Sequence, residues 1–315
     1  MRKVLPLLLL LWFTACKQST QSTIQSDISN KKTGEHINIP GTRLYLIPPP
    51  GAKVGTGFVG LELGEKSAMV VRDLVGSSFA DNSATFSREG FEQKGLKVLD
   101  YKEIKVNGYP AKFIAVQQGE ELKGYAVLFG DATFSTMVMT TYPLQDDSTG
   151  LQIITSLNSM YYDTGKKADP LEAALFTQEN KNSKFRFYEM EGGLYMYTVG
   201  GIGYGKEVDS PFVLVAQLPV NDTMALDNFA DIVIGGAQQF GFTGKEEKNR
   251  HWENINGNNA YEAEVYEDTE GQQGILYVCI LEGKRNMIVL ECFARKDVAA
   301  NLKAFKQFAR GVQLK

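Results

Sequence analysis

The chain has 315 residues, which is long enough for two domains that each bury a core. Hydrophobic residues make up 43% and charged residues 22%, and this composition excludes a largely disordered chain. The formal net charge of −4 excludes bulk electrostatic attraction for nucleic acid, so we expect no nucleic-acid partner.

The N-terminal residues have the pattern of a bacterial export signal. Two basic residues precede ten apolar residues, 4–13, which are too few to span a bilayer core that needs about 20. Residues 13–16, FTAC, resemble a lipobox, in which the cysteine is diacylated and becomes the mature N-terminus. We therefore predict a lipoprotein signal peptide over residues 1–15 and lipidation at Cys16.

The residues after this cysteine predict where the chain is located. Residues 16–34 are rich in Ser, Thr, Gln and Lys, so we predict a flexible tether. More than one acyl chain on Cys16 gives stable membrane anchoring. Lys17 stands where an inner-membrane retention signal has Asp, which favours the outer membrane of a Bacteroidota-type envelope, on either its periplasmic or its cell-surface face. A soluble secreted protein with a chance cysteine is the alternative.

The first half of the folded chain, residues 35–163, predicts strands, a helix and then consecutive hairpins. Aromatic and β-branched runs predict strands at 36–47 and 68–74. Ser77 or Ser78 can cap the helix. The later strands and the inner face of a closing helix are predicted at 98–106, 111–117, 125–129 and 134–141, and at Leu151, Ile154, Leu157 and Tyr161.

The second half, residues 185–315, repeats this order of elements. Strands are predicted at 185–199 and 212–218, and strands ending at 289–294 precede a last helix. Two helices are predicted, each with a cap followed by apolar residues at helical spacing. In the first, Asn221 or Asp222 is the cap, and the apolar residues are Leu226, Phe229, Val233 and Phe240. In the second, Asp297 is the cap, and the apolar residues are Val298, Leu302, Phe305 and Val312.

Two Asn-Gly pairs mark equivalent positions in the two halves. Asn107-Gly108 and Asn256-Gly257 are 149 residues apart, since 256 − 107 = 149. Both residues of such a pair can adopt positive φ, so each pair predicts a tight hairpin turn with a structural role. The constant offset and the common order of elements indicate a tandem duplication.

We therefore predict an α+β fold with two tandem copies of a helix-flanked antiparallel β-sheet domain, at residues 35–163 and 185–315. A polar linker is predicted at residues 164–184. Within it, Asp169-Pro170 is typical of a capped helix start, and the segment is either a short helix or a linker strand.

This order of elements, with an NG-x-x-A turn opening the hairpins, resembles the PsbP-like family, the fold of the extrinsic photosystem II protein. The resemblance covers both halves, although Pro110 of the first turn is replaced by Asn259 in the second. Members of that fold act mainly in binding and assembly. The resemblance therefore implies a binding or assembly protein rather than a catalyst.

Residue types that carry chemistry are few. The two histidines, His36 and His251, stand apart from each other and from any Cys/His ligand pattern, so we predict no metal site, no cofactor and no catalytic residue. The acidic run 267–271 lacks calcium-loop spacing. The glycine-rich run 200–207 lacks the phosphate-loop sequence.

Cys279 and Cys292 lie on adjacent predicted strands. A turn about Gly283-Lys284 places Cys279 opposite residue 288, two pairs away from Cys292. Two buried thiols are favoured, and a disulfide remains the alternative in an oxidising compartment.

Aromatic side chains are concentrated at the start of each half, above all the second. Core packing explains most of them, because aromatic residues pack well in strands. If a ligand or partner surface exists, we expect it in this region or in the cleft between the halves, since ligands prefer domain interfaces. The candidate residues are Tyr188, Tyr195, Tyr197 and Tyr204.

Taken together, these patterns predict a lipid-anchored envelope lipoprotein that is a non-enzymatic binding or assembly module with an envelope protein as partner. The alternative is an envelope hydrolase or carbohydrate-active enzyme with paired carboxylates. Two facing carboxylates with shifted pKa values in a pocket would favour the enzyme.

Overall fold

The computed structural model describes residues 23–191, 193–203, 210–220, 224–240, 242, 246–269 and 272–315. The predicted signal peptide, Cys16, and the predicted helix caps Asn221 and Asp222 lie outside these residues. Within the described ranges, no helix combines the length and apolar character needed to cross a membrane.

The described residues contain twenty strands and five α-helices. Those of the first half are β1 Asp27–Ile28, β2 Ile37–Asn38, β3 Leu44–Leu46, β4 Lys53–Val54, β5 Gly60–Gly64, β6 Ser67–Val75, α1 Phe79–Ser83, α2 Arg88–Glu92, β7 Lys97–Val106, β8 Tyr109–Gln118, β9 Leu122–Gly130, β10 Phe134–Pro143, α3 Asp147–Asn158 and β11 Tyr161–Tyr162. Those that follow are β12 Phe176–Gln178, β13 Phe185–Glu191, β14 Leu194–Val199, β15 Phe212–Pro219, α4 Leu226–Gly236, β16 Glu246–Ile255, β17 Asn258–Thr269, β18 Gln272–Glu282, β19 Asn286–Ala294, α5 Val298–Arg310 and β20 Val312–Leu314.

Two large sheets contain most of the strands. The first has the order β1-β7-β8-β9-β10-β6-β5-β4 and is antiparallel except for the parallel pair β1 and β7. The second is antiparallel throughout and has the order β16-β17-β18-β19-β15-β14-β13. Its order matches that of β7-β8-β9-β10-β6-β5-β4 strand for strand. Two small sheets, β11-β3-β2 and β12-β20, lie beside them.

The predicted α+β class with helix-flanked copies is wrong, because the structure is mainly β. Sheets of eight and seven strands form its bulk, whereas the five described α-helices have only 5 to 13 residues. The helix predicted after Ser77 or Ser78 is two five-residue helices, capped by Ser78 and Ser87. Ser and Gly favour caps and turns over helix interiors, so this stretch does not sustain a longer helix.

The central strands of the second sheet are buried on both faces. All side chains of residues 275–281 in β18 are buried, and alternate residues face the two sides of the sheet. Phe305 and Phe308 of α5 join the core on one face, and Ala230 of α4 joins the core on the other. This two-sided burial explains why β18 is a continuous apolar run rather than an alternating one.

The N-terminal segment adds an edge strand to the first sheet. Ile24 and Ile28 are buried in the core of the first half, and residues 27–28 pair in parallel with Lys105 and Val106. The prediction of a flexible tether up to residue 34 is therefore wrong from Ile24 onward. Edge pairing uses backbone groups, so the polar side chains of this segment gave no sign of it.

The two Asn-Gly pairs form equivalent hairpin turns. Asn107 and Gly108 have φ of 49° and 82°, and Asn256 and Gly257 have φ of 56° and 83°. Each Asn side chain also holds the chain beyond the closing helix, because Asn107 Oδ1 accepts a 2.9 Å hydrogen bond from the N–H of Tyr162. In the second half, the Asn256 side chain donates at 2.9 Å to the carbonyl oxygen of Arg310, the last residue of α5, and at 2.8 Å to that of Val312. That the role of these turns is structural stays a prediction.

The linker contains both a short helix and a strand, the two alternatives that the sequence allowed. Asp169 accepts a 3.0 Å hydrogen bond from the N–H of Leu171 and caps a 3₁₀-helix at Pro170–Ala173. The short strand β12 follows and pairs with β20.

The end of this 3₁₀-helix joins the two cores. Ala173 belongs to the core of the first half and its neighbour Ala174 to the core of the second. The buried Gln217 side chain accepts a 2.8 Å hydrogen bond from the N–H of Leu175 and donates at 3.1 Å to the carbonyl oxygen of Ala173. The second sheet therefore holds the linker directly.

Cys279 and Cys292 are buried free thiols, as favoured from the sequence. Cys279 lies opposite Leu290, so the predicted register with residue 288 is wrong by two residues. The cause is a four-residue turn, 283–286, closed by a 2.9 Å backbone hydrogen bond. Burial raises the pKa of both thiols, which keeps them in the unreactive protonated form.

A buried ion pair lies in the core of the first half. The carboxylate of Asp73, whose side chain is 1% exposed, accepts hydrogen bonds from Arg43 Nη2 at 3.0 Å and Nε at 3.1 Å. The hydroxyls of Thr136 and Tyr162 each donate to the same carboxylate at 2.9 Å. The guanidinium also lies beside the stacked rings of Phe134 and Tyr162, 4.9 and 4.8 Å from their centroids, which are 4.6 Å apart. All these groups are therefore partnered.

Candidate functional site

A groove of about 470 Å³ lies at the start of the second half, between β12 and β13. It forms because β12 pairs with β20, which brings the linker alongside the second sheet. Phe187 and Tyr197 pack edge to face in its wall, with ring centroids 5.7 Å apart. The aromatic residues that line it are Phe176, Phe185, Phe187 and Tyr197.

Three cationic side chains lie beside these rings: Lys181, Arg186 and Lys315. The Arg186 guanidinium donates to the carbonyl oxygens of Lys181 at 2.8 Å and Phe185 at 3.0 Å. The Lys315 ammonium donates to the carbonyl oxygen of Ala174 at 2.7 Å. Within the described residues, the groove lining contains no Asp or Glu and none of the three cations has an acidic partner. The groove is therefore suited to carboxylates.

The predicted aromatic residues occupy different places around this groove. Tyr197 lines it, whereas Tyr195 lies behind it, 1% exposed, with its ring centroid 5.3 Å from that of Phe176. The Tyr195 hydroxyl has no hydrogen-bond partner in the described part of the chain, and burial raises the pKa of this tyrosine to about 12. Tyr188 is exposed and lies outside the lining, and Tyr204 lies outside the described residues.

The cations of the groove could not be identified from the sequence. Lys181 and Arg186 are more than 120 residues from Lys315, and only the pairing of β12 with β20 brings them together. At the other predicted place, where the halves meet at the linker, Ala173 and Gln217 are buried and hydrogen-bonded to each other.

A second group of charged residues is buried under α5. Glu262 and Glu264 on β17 are 0% and 2% exposed. The positions 149 residues earlier, on β8, hold the buried apolar residues Phe113 and Ala115. The second half therefore has a polar site where the first half has ordinary core.

Each of these buried carboxylates is paired with a cation from α5. Arg310 Nη1 lies 2.6 Å from Glu262 Oε1, and Lys306 Nζ lies 2.7 Å from Glu264 Oε1. Burial acts to raise the pKa of Glu264, but hydrogen bonds, the largest from Lys306, outweigh it and lower the pKa. An acid held ionised in this way does not act as a proton donor near neutral pH.

Glu291 on β19 lies in apolar surroundings. Its strand neighbours are Leu214 and Val278, which belong to the core under α4. Burial raises the pKa of Glu291 to about 7. No salt bridge joins this carboxyl to a cation in the described residues.

The chain matches no family model and no curated protein. Solved structures are similar to it at low identity. The immunity protein TplEi of the type VI secretion system from Pseudomonas aeruginosa is 11% identical, with 90% of this chain and 98% of that chain covered and a TM-score of 0.41. Cyanobacterial PsbP from Synechocystis sp. PCC 6803 is 12% identical over 48% of this chain and 98% of that chain, with a TM-score of 0.27. LpqN, a Mycobacterium tuberculosis protein involved in cell envelope biogenesis, is 9% identical over 42% of this chain and 79% of that chain, with a TM-score of 0.33.

Proposed function

We propose that this chain is a membrane-anchored envelope lipoprotein that acts as a non-enzymatic binding module, and that its groove binds an acidic segment of a partner protein. The observation that carries the proposal is the set of three cations, Lys181, Arg186 and Lys315, beside an aromatic wall whose described lining contains no Asp or Glu. Carboxylates of the segment pair with the cations, and an apolar side chain packs on Phe187, the partly exposed ring of the lining.

Arg186 is the central contact in this proposal. Its guanidinium is already oriented by hydrogen bonds to the carbonyl oxygens of Lys181, Ser183 and Phe185. Carbonyl oxygens accept hydrogen bonds without neutralising the positive charge. A partner carboxylate therefore meets a cation whose side-chain entropy is already reduced, which favours binding.

The enzymatic alternative has less support. Glu262 and Glu264 are the buried carboxylates closest to the paired arrangement that such an enzyme needs. Both are tied to cations, and hydrogen bonds lower the pKa of Glu264 rather than raise it. A general acid requires a raised pKa, so this pair does not provide the two opposed roles.

The anchor is tested at Cys16. Replacement of Cys16 by Ala removes the acylated thiol, so we expect the protein to move from the membrane fraction to the soluble fraction. Fractionation of cells in buffer of high salt, with the envelope separated from soluble protein, measures this change. Cys279→Ala is the matched control, because that thiol is buried and its loss leaves the anchor in place. Retention of the Cys16→Ala protein in the membrane would show that the lipobox interpretation is wrong.

The groove is tested with an acidic peptide. We expect the full-length chain to bind a fluorescein-labelled peptide of alternating Glu and Phe residues, measured by fluorescence anisotropy. Arg186→Glu and Lys181→Glu place a negative charge in the groove, so each is expected to weaken binding tenfold or more, which corresponds to about 1.4 kcal/mol. The effect is expected to shrink as salt concentration rises.

The control for this experiment is Lys97→Glu. Lys97 is exposed on β7 of the first sheet and is not part of the groove lining, and its reversal changes the net charge by the same amount. We expect it to alter binding less than twofold. If all three reversals weaken binding equally, the attraction is a bulk charge effect and the groove proposal fails. Absence of peptide binding to the unaltered chain contradicts it as well.

A further inference from the structure

Three metal-ligating side chains meet at the edge of the second sheet, away from the groove. His251 Nε2 lies 3.4 Å from Glu262 Oε2 and 3.9 Å from Glu253 Oε2. One ligand atom from each of the three residues lies within 4.8 Å of the other two. His251 and Glu253 are on the edge strand β16, and Glu262 is on β17.

A β-bulge places His251 opposite Glu262. From Lys248 to His251 the chain advances three residues on β16, while β17 advances only two, from Glu264 to Glu262. Asn249 in the bulge has a φ of 54°. The extra residue changes the face to which the following side chains of β16 point, so His251 and Glu253 point to the side of Glu262.

The hydrogen bond of the other ring nitrogen defines the role of Nε2. His251 Nδ1 lies 3.1 Å from the carbonyl oxygen of Asn249. A carbonyl only accepts, so Nδ1 carries the proton, and in the neutral ring Nε2 keeps a lone pair that faces the two carboxylates and can bind a metal ion placed between them. A backbone carbonyl that orients the ring through its other nitrogen is the usual arrangement around a metal-bound histidine.

Glu262 supplies an independent sign of a ligand. Its side chain is 1% exposed, and its Oε1 accepts from Arg310 at 2.6 Å and from the Tyr277 hydroxyl at 2.7 Å. Its Oε2 is buried and, among the described residues, has no hydrogen-bond partner. This atom is the one that faces His251. A buried carboxylate oxygen without a partner is costly, so it calls for a cation at this point.

The net charge of the cluster and its neighbours is negative, so it favours binding of a cation. Arg310 Nη2 lies 2.5 Å from Glu253 Oε2, so one guanidinium holds both carboxylates in place. With a neutral His251, two carboxylates and one guanidinium sum to −1. The neighbouring pair of Glu264 and Lys306 adds no net charge.

We propose that His251, Glu253 and Glu262 bind one divalent transition-metal ion of the zinc type. Imidazole nitrogen with carboxylate oxygen suits zinc, whereas calcium and magnesium prefer oxygen ligands alone. In a tetrahedral zinc site with bonds of about 2.0 to 2.2 Å, neighbouring ligand atoms lie about 3.3 Å apart. The 3.4 Å between His251 Nε2 and Glu262 Oε2 fits this spacing, and the Glu253 carboxylate, 3.9 Å from the same nitrogen, completes the set.

The test is titration of the chelator-treated full-length chain with zinc ions by isothermal calorimetry. We expect one strong site per chain that depends on His251. His251→Gln and Glu253→Gln are each expected to weaken it tenfold or more, because each removes one ligand. Both side chains are well exposed, so the thermal unfolding temperature checks that these variants remain folded. Cobalt ions in place of zinc are expected to give a visible absorption band that His251→Gln abolishes.

His36→Gln is the matched control, since His36 is the other histidine of the chain. Its Nδ1 accepts from Thr33 and its Nε2 lies 2.9 Å from the carbonyl oxygen of Ser159, so both ring nitrogens are in use. We expect this variant to bind zinc as the unaltered chain does. Three results overturn the proposal: no zinc binding, zinc binding that His251→Gln leaves unchanged, or equal loss in His36→Gln. In the first case the cluster is an ion pair only.

Discussion

Replacement of Asp73 by Ala is expected to lower the free energy of unfolding by about 3 to 5 kcal/mol, the cost of leaving a buried charge without its partner. Arg43 would lose both side-chain hydrogen bonds to the carboxylate while remaining beside two aromatic rings. The hydroxyls of Thr136 and Tyr162 would lose their acceptor at the same time. Chemical denaturation of the full-length chain near pH 7 measures the loss.

Two comparisons make this prediction specific. Glu121→Ala removes an acid from the pair of Lys66 and Glu121, whose side chains are 59% and 77% exposed, and is expected to cost less than about 1 kcal/mol. The double change Arg43→Met with Asp73→Leu removes both charges, so it is expected to cost less than Asp73→Ala alone. If Asp73→Ala changes stability no more than Glu121→Ala does, the network does not hold the first half together.

The second large effect is a pH dependence that comes from Glu291. Burial raises the pKa of its carboxyl to about 7 from 4.5. The unfolded chain therefore ionises this group at a lower pH than the folded chain does. The protonated carboxyl therefore makes its full contribution to the free energy of unfolding below about pH 4.5, and this contribution is lost as the pH rises to about 7. A difference of 2.5 units corresponds to at most about 3 kcal/mol.

Glu291→Gln isolates this effect, because the amide stays neutral at every pH. We expect the stability difference between the variant and the unaltered chain to grow in favour of the variant between about pH 4.5 and 7 and then to stay constant. Denaturant titrations at a series of pH values measure it. Glu121→Gln changes an exposed carboxyl and is expected to show no such trend. Parallel stability curves for Glu291→Gln and the unaltered chain would contradict the assignment of this carboxyl.

The sequence could predict the hairpins because their signals are local. Asn107-Gly108 and Asn256-Gly257 define turns whose geometry depends on the two residues themselves. The proportion of the fold that is helical could not be predicted from such local signals. Asp297, for example, precedes α5 as expected, but its side chain makes no capping hydrogen bond and its φ is 48°. A cap pattern indicates where a helix can start and not how much of the fold is helical.

The sites depend on contacts between distant parts of the chain. Tyr197 could be named in advance because aromatic residues are visible as a cluster in the sequence. Lys315 could not, because it reaches the groove only through the pairing of β20 with β12. His251 stood alone in the sequence because a one-residue bulge decides that it faces Glu262. A shift of one residue in a strand reverses the face of every side chain after it, and composition does not show such a shift.

The linker between the halves also has a mechanical consequence. If Cys16 holds the protein at one end and a partner in the groove holds it at the other, as proposed, any pulling force passes through the residues where the two cores meet. Ala173 and Ala174 are consecutive residues anchored in different cores, and Gln217 clamps the backbone around them. The linker therefore has almost no unanchored length between the two cores. Tension on an anchored complex would load the two sheets in series, so that the weaker sheet, and not the linker, is the first part to extend.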